Sequence, residues 1–210
     1  LLGRLKIYKL RSNIEFKEIN NLNSYSLFNI DYEGDYSVYL NDPRNINLGK
    51  KLITNKKILI EKERLKEINE TEYHEILINH TTPYSPFDIL ENKSLLLENN
   101  FDNLNAIDWD KGCYVGQEIT ARMKYRGLLK KKLYALKIKN GDALKGDELI
   151  VDNKKIGTIV SKANSNIFAA LNINFVNEIK NKNQNLVIND SLSFDFLNWK
   201  FFSIKTYWNY

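Results

Sequence analysis

The chain's single cysteine, Cys113, lies in the stretch Asp110 to Gly127, which reads DKGCYVGQEITARMKYRG. A thiol does chemistry as its thiolate, and a nearby cation or a helix N-terminus favours that form. Lys111 is two residues away, and a helix is predicted to begin just after Gly116. Gly112 and Gly116 bracket the cysteine and would let the backbone turn tightly or approach another group closely. Such a cysteine could be a nucleophile, a redox handle, or one ligand to a cluster shared with a partner. It could equally be a small side chain buried under a glycine-rich turn, since free cysteine is among the most buried residue types. With only one cysteine, an internal disulfide framework and a CxxC metal site within the chain are both excluded. A reducing compartment suits that usage.

Other residues with chemical potential are weaker. His74 and His80 are six apart, whereas a helical metal pair of the H-E-x-x-H kind needs i,i+4 spacing, and residue 78 is Ile78. No metal site is expected in the chain by itself. Glu98 and Asp102 could share one helical face as paired carboxylates, or lie in a solvated loop. Trp199, Phe201, Phe202, Tyr207 and Trp208, with Lys200 and Lys205 among them, could stack nucleic-acid bases; the commoner use of such aromatics is a barrel core. No GxxxxGK[ST], GxGxxG or GxSxG segment occurs, which removes the usual nucleotide-binding and hydrolase signatures. The formal charge of +5 is spread along a Lys- and Asn-rich chain. Its densest group, Lys124, Arg126, Lys130, Lys131 and Lys132, reads as a solvated face.

The elements that position Cys113 follow from periodicity. Gln117 to Arg126 reads as a helix, with Ile119 and Met123 on one face, Glu118 and Arg122 in the favourable i,i+4 order, and Gly127 as its C-terminal stop. Leu1 to Leu10 reads as the tail of a helix. A strand is expected around Ile14 and Phe16. Two more, Tyr25 to Ile30 and Tyr36 to Leu40, are expected to join through a hairpin turn at Glu33-Gly34-Asp35. Asp42-Pro43-Arg44 breaks the chain. Lys62 to Asn79 reads as a helix that Pro83 and Pro86 end, followed by a loop-rich stretch to Trp109.

From Lys131 the period changes to two. Leu133 to Ile138, Leu149 to Val151, Ile156 to Val160, Ile167 to Ile173, Leu186 to Ile188 and Phe194 to Phe202 make six short strands, with a turn at Asp152-Asn153. Six short strands joined by polar turns predict a small antiparallel β-barrel. The boundary is placed near Leu128, giving an α+β unit over 1–128 and a barrel over 129–210. The 210 residues are 43 per cent hydrophobic and 27 per cent charged, enough for real cores in both. No apolar run approaches the roughly 18 residues that span a bilayer.

Lys111, Gly112, Cys113, Tyr114, Val115, Gly116, Gln117 and Glu118 resemble the signature of the folate-binding YgfZ family, K-G-C-Y/F-x-G-Q-E, at all eight positions. Flanking segments are similar too. Tyr8 to Arg11 resembles the family's Y-x-x-R segment. Asp42-Pro43-Arg44 followed by Leu48-Gly49 resembles its D-P-R and L-G element. Glu98 to Trp109 resembles the run into the signature, and Ile156 to Leu171 resembles the first half of its terminal barrel. The resemblance covers about residues 4 to 175.

That resemblance implies a fold related to the aminomethyltransferase of glycine cleavage: a folate-binding α+β domain followed by a β-barrel. It implies a factor for assembly or repair of [4Fe–4S] proteins, among them radical-SAM enzymes that thiolate tRNA. It also implies tetrahydrofolate as cofactor, with Glu98 and Arg122 as weak candidate contacts, and Cys113 as the functional thiol. Family members carry a further N-terminal portion that completes the folate pocket. This chain starts at Leu1, so it is expected to be a fragment or a processed chain with an incomplete site. Iron–sulfur client proteins are the implied partners of a monomer in the cytoplasm, or in the mitochondrial matrix of a eukaryote. Two other functions stay open. A folate-dependent aminomethyl- or methyltransferase is one, although that enzyme lacks the K-G-C motif. A basic RNA-binding module is the other.

Overall fold

A computed structural model describes residues 2–58, 65–182, 186–189 and 192–197. Helix α1 (Leu2–Tyr8) matches the predicted helix tail and buries none of its residues. The strand expected around Ile14 and Phe16 does not form; residues 12–22 carry neither helix nor strand.

Strands β1 (Asn23–Leu27), β2 (Val38–Asn41) and β3 (Lys50–Thr54) make an antiparallel sheet in the order β1-β3-β2. The predicted hairpin across Glu33-Gly34-Asp35 is therefore corrected. The first two strands never pair, because β3 lies between them with Leu52 opposite both Tyr25 and Tyr39. Leu52 and Thr54 are the reason β3 takes the centre: both are fully buried. A short 3-10 turn, Ile46–Leu48, and Gly49 at φ +70° lead into it. A Cβ at Gly49 would collide with the carbonyl oxygen of Leu27. Only glycine suits that position.

Helix α2 (Glu70–Asn79) begins later than the predicted Lys62. Residues 59–64 lie outside the described residues, and 65–69 are not helical. A capping box fixes the start: the Asn69 side chain accepts from Glu72 N, the Glu72 carboxylate accepts from Asn69 N, and both distances are 2.9 Å. Turns and one 3-10 segment, Leu97–Asn99, then lead to α3 (Gln117–Tyr125), with Gly127 left-handed as predicted.

Six strands follow: β4 (Lys131–Asn140), β5 (Glu148–Val151), β6 (Lys154–Ala163), β7 (Asn166–Asn172), β8 (Leu186–Asn189) and β9 (Leu192–Phe196). They form one antiparallel sheet in the order β5-β6-β7-β4-β9-β8. The edge strands β5 and β8 lie against each other, so the sheet nearly closes into the expected barrel. Asp152 and Asn153 are both left-handed, as a tight two-residue hairpin demands. Helix α4 (Ile173–Asn181) is an element the period-2 reading missed. Asn172 ends β7 and caps the helix by accepting from Asn174 N and Phe175 N, so the predicted strand through Ile173 stops one residue early. Residues 198–210, including Trp199, Phe201, Phe202, Tyr207 and Trp208, lie outside the described residues.

The barrel interior is filled by Leu136, Leu149, Ile159, Leu171, Leu186 and Phe194, among others. A second apolar cluster sits on the opposite face of β4, where Ile78 of α2 packs with Leu133, Ala135, Ala163 and Phe168. Polar contacts reinforce that seam. Asn166 Nδ2 donates to Asn79 Oδ1 at 2.9 Å and to Glu75 Oε1 at 3.2 Å, and buried Asp88 accepts from Ser161 of β6 and bonds His74 of α2. His74 thus faces Asp88, not His80.

Candidate functional site

The segment around Cys113 is built from the turn outward. Gln117 N donates to the Tyr114 carbonyl at 3.2 Å, and Tyr114 N donates to Gln117 Oε1 at 3.3 Å. This reciprocal pair closes the turn that starts α3 and accounts for Tyr114 and Gln117 at that spacing. Gly116 takes the N-cap position at φ +89° and ψ −5°, a left-handed geometry that favours glycine. Thr120, the buried residue of α3, donates its hydroxyl to the Gly116 carbonyl at 3.3 Å and ties the first turn down.

Cys113 itself is exposed. It precedes the Val115–Gly116 turn in a stretch that is neither helix nor strand, four residues ahead of Gln117. The alternative in which the thiol packs beneath a glycine-rich turn is therefore overturned. Gly112 also departs from expectation: a Cβ there would meet nothing within 4 Å, and its backbone is not left-handed. Of the two bracketing glycines, only Gly116 is required by the backbone.

The charged members of the motif point to solvent. Lys111 Nζ lies 4.4 Å from the centre of the Tyr114 ring, a cation–π contact beside the cysteine. Glu118 and Arg122 pair with each other at 2.6 Å on the exposed side of α3. Glu98 pairs with Lys131 at 3.4 Å, and Asp102 with Lys132 at 3.3 Å. Glu98 and Arg122 are thus engaged separately, and Glu98 and Asp102 do not share a helical face, because the 3-10 turn ends at Asn99. Lys124, Arg126, Lys130 and Lys131 are exposed, as the solvated-face reading expects. Lys132 is largely covered, and Lys124 stacks 3.6 Å from the Trp109 ring, beside Tyr125, whose ring meets Trp109 edge-on at 6.2 Å. Burial pulls the Lys124 ammonium below the usual lysine range, against the opposing charges of Asp102 and Asp110. Sequence reasoning missed this clamp, although the aromatic residues on either side of the motif were its signal. It fixes the far end of α3 to the chain entering the motif.

What the segment offers is an accessible thiol just ahead of a hydrogen-bonded turn, beside a cation and exposed apolar side chains. Val115 is fully exposed, and Ile119 and Tyr125 are more than half exposed. Among the described residues, no group of three or more His, Cys, Asp or Glu side chains is placed to hold a metal ion.

No protein-family model matches the chain. Curated proteins do. Over 174 residues, 73% of this chain, it is 32% identical to a protein of Dictyostelium discoideum named as an iron–sulfur cluster assembly factor IBA57 homolog, mitochondrial. The chain is a homologue of the IBA57/YgfZ-type proteins. The mouse IBA57 is 30% identical over 104 residues, and a Neurospora crassa homologue is 42% identical over 64. The chain spans less than half the length of these relatives: 43% of the Dictyostelium protein, 28% of the mouse protein and 15% of the Neurospora protein. IBA57 homology implies a fold like that of the glycine-cleavage T-protein, consistent with the mixed α+β architecture and the six-stranded barrel. No helix among the described residues is long and apolar enough to cross a membrane.

Proposed function

We propose that this chain belongs to a factor for assembly or repair of [4Fe–4S] proteins, with Cys113 as its working residue. The observation that carries the reading is the exposure of the single thiol within a segment matching all eight signature positions. The homologues named as iron–sulfur cluster assembly factors support it. One cysteine cannot hold a cluster by itself, so a cluster at Cys113 draws its remaining ligands from a partner. The sulfur supplies one soft ligand, exposed just ahead of the turn closed by Tyr114 and Gln117. Lys111, held over the Tyr114 ring, puts a cation near an anionic cluster.

In this reading residues 1–128 form a folate-binding-like α+β domain and 129–210 a barrel. Tetrahydrofolate is the cofactor of the intact protein, and tRNA-modifying radical-SAM enzymes are among the clients. Glu98 and Arg122, which pair with Lys131 and Glu118, are the candidate pterin contacts. The protein works in a reducing compartment, either cytoplasm or mitochondrial matrix. The test is complementation in cells depleted of the native factor, using the full-length protein with and without Cys113→Ser. Loss of [4Fe–4S] client activity with normal protein levels supports the reading. Full client activity removes Cys113 from it. Calorimetry of the full-length protein with tetrahydrofolate tests the cofactor, and no binding would contradict it.

A further inference from the structure

A second group of chemically capable side chains occupies elements other than those that carry Cys113. It lies where β1 and β3 meet α2. Asp42, 3% exposed, is its anchor. Its carboxylate accepts from Arg44 N and Nε at 3.0 Å each and from Arg44 Nη2 at 2.7 Å. Lys51 Nζ stands 3.6 Å from the same carboxylate. That Lys51 ammonium also donates to Tyr73 Oη at 3.1 Å and to Ser26 Oγ at 2.5 Å. Arg44 Nη2 reaches Tyr73 Oη at 3.5 Å, and Ser26 Oγ lies 3.5 Å from it as well.

Counting charge and hydrogen-bonding capacity exposes an imbalance. Two cations face one carboxylate, and that carboxylate is already taken up largely by Arg44. Lys51, Arg44 and Ser26 bring an ammonium, a guanidinium and a hydroxyl, whereas the acceptor they converge on, Tyr73 Oη, is a neutral phenol oxygen with room for two donors. A phenol is a poor substitute for an anion in that position. The group is also reachable from solvent, because the side chains of Arg44 and Lys51 are 30% and 28% exposed. Burial pushes the Tyr73 hydroxyl up. Hydrogen bonds from Ser26, Arg44 and Lys51, with the Lys51 charge, more than offset this and hold it below the ordinary tyrosine range. The surroundings of Tyr73 therefore already favour negative charge at that point.

We propose that Arg44, Lys51, Ser26 and Tyr73 form a binding site for an oxyanion, the carboxylate or phosphate of a small-molecule ligand. Asp42 orients the guanidinium, which leaves its outer edge and the Lys51 ammonium to take the ligand's oxygens. Tyr73 and Ser26 add neutral donors. The proposal does not depend on the iron–sulfur reading.

Tyr73 is a built-in reporter. In the whole chain labelled with carbon-13 at tyrosine Cζ, the Tyr73 resonance is assigned by its loss in Tyr73→Phe. Titrations with inorganic phosphate and with acetate are run at constant ionic strength, with chloride as the reference. The expected result is a saturable shift of the Tyr73 signal and a rise in the pH at which the phenol ionises. Tighter binding of phosphate assigns the ligand group as phosphate; tighter binding of acetate assigns it as carboxylate. Lys51→Gln keeps the Arg44–Asp42 pair and should weaken binding about tenfold. Ser26→Ala leaves every charge in place and should weaken it about threefold, a check that stands even if Lys51→Gln fails to fold. No saturable shift with either anion, an equal shift with chloride, or undiminished affinity in Ser26→Ala would overturn the proposal.

Discussion

The side-chain amide of Asn100 donates to the carbonyl oxygen of Leu133 across 2.8 Å, with both residues buried. This bond joins the stretch that leads into the Cys113 motif to the first barrel strand. Asn100 is left-handed at φ +63°, closing the 3-10 turn that carries Glu98. Two substitutions separate its two contributions. Asn100→Gly keeps the left-handed backbone and loses the hydrogen bond, at a cost of about 1 to 1.5 kcal/mol. Asn100→Ala loses the bond and also strains the backbone, adding about 1 to 2 kcal/mol. Urea unfolding of the two variants checks the difference. Equal costs would mean that the turn relaxes out of the left-handed region.

The barrel was legible because its strands obey one dominant rule. Along β4 and β6, apolar residues face an interior and turns fall at Asn-, Asp- and Gly-rich positions. Helix α3 was legible from the Glu118–Arg122 spacing and Gly127. What escaped was set by partners distant in sequence. Nothing local in Tyr25–Leu40 reveals that Leu52 will lie between its two strands. Asn172 ends a strand and caps a helix in one residue, and the following Ile-Asn-Phe-Val continues a strand pattern as readily as a helical one. At the candidate site the motif was visible, but the exposure of Cys113 was not, because burial depends on what the rest of the fold leaves uncovered. The meeting of Arg44 and Lys51 at Tyr73 was equally hidden: the three residues come from a loop, a strand and a helix.

Asp42 should make stability depend on pH in the acid range. Burial raises its carboxyl, but hydrogen bonds from the Arg44 side chain and backbone, with the charges of Arg44 and Lys51, outweigh that and leave it below the usual aspartate range. A carboxyl lowered by folding stabilises the protein above its unfolded value, near 3.9. That contribution is lost as pH falls through the lower folded value. Asp42→Asn should therefore cost about 1.5 to 3 kcal/mol at neutral pH. The gap between the two proteins should narrow below about pH 4. Thermal midpoints of both, measured from pH 7 to pH 2, provide the check. A gap independent of pH would show that the Asp42 charge contributes nothing beyond its shape.

Gly49 and Gly116 are both left-handed, yet their replacements should differ. At Gly116 a Cβ meets nothing within 4 Å, so Gly116→Ala carries only backbone strain, about 1 kcal/mol. At Gly49 the new Cβ would run into the Leu27 backbone and force β1 away from β3. Gly49→Ala should cost about 3 kcal/mol or more. Chemical denaturation of the pair tests the ranking, and the reverse order would contradict the placement of Gly49 against β1.

Cys113 provides the sharpest separation of structure from function. Its thiol is exposed, so Cys113→Ser and Cys113→Ala open no cavity. Surface changes of this kind fall within about 0.5 kcal/mol, and both variants should melt with the parent. The native thiol should also react with a maleimide without prior unfolding, because it is exposed. A loss of client activity in these variants could then not be ascribed to unfolding. If the thiol ligates a cluster or carries out redox chemistry, Cys113→Ser should abolish activity of [4Fe–4S] clients in depleted cells, since a hydroxyl is a poor soft ligand. If a stable Cys113→Ser protein restores full client activity, the thiol has no chemical role, and the motif's importance lies in the turn that Tyr114, Gly116 and Gln117 build. Destabilisation of Cys113→Ala by more than about 1 kcal/mol would contradict the exposed placement itself.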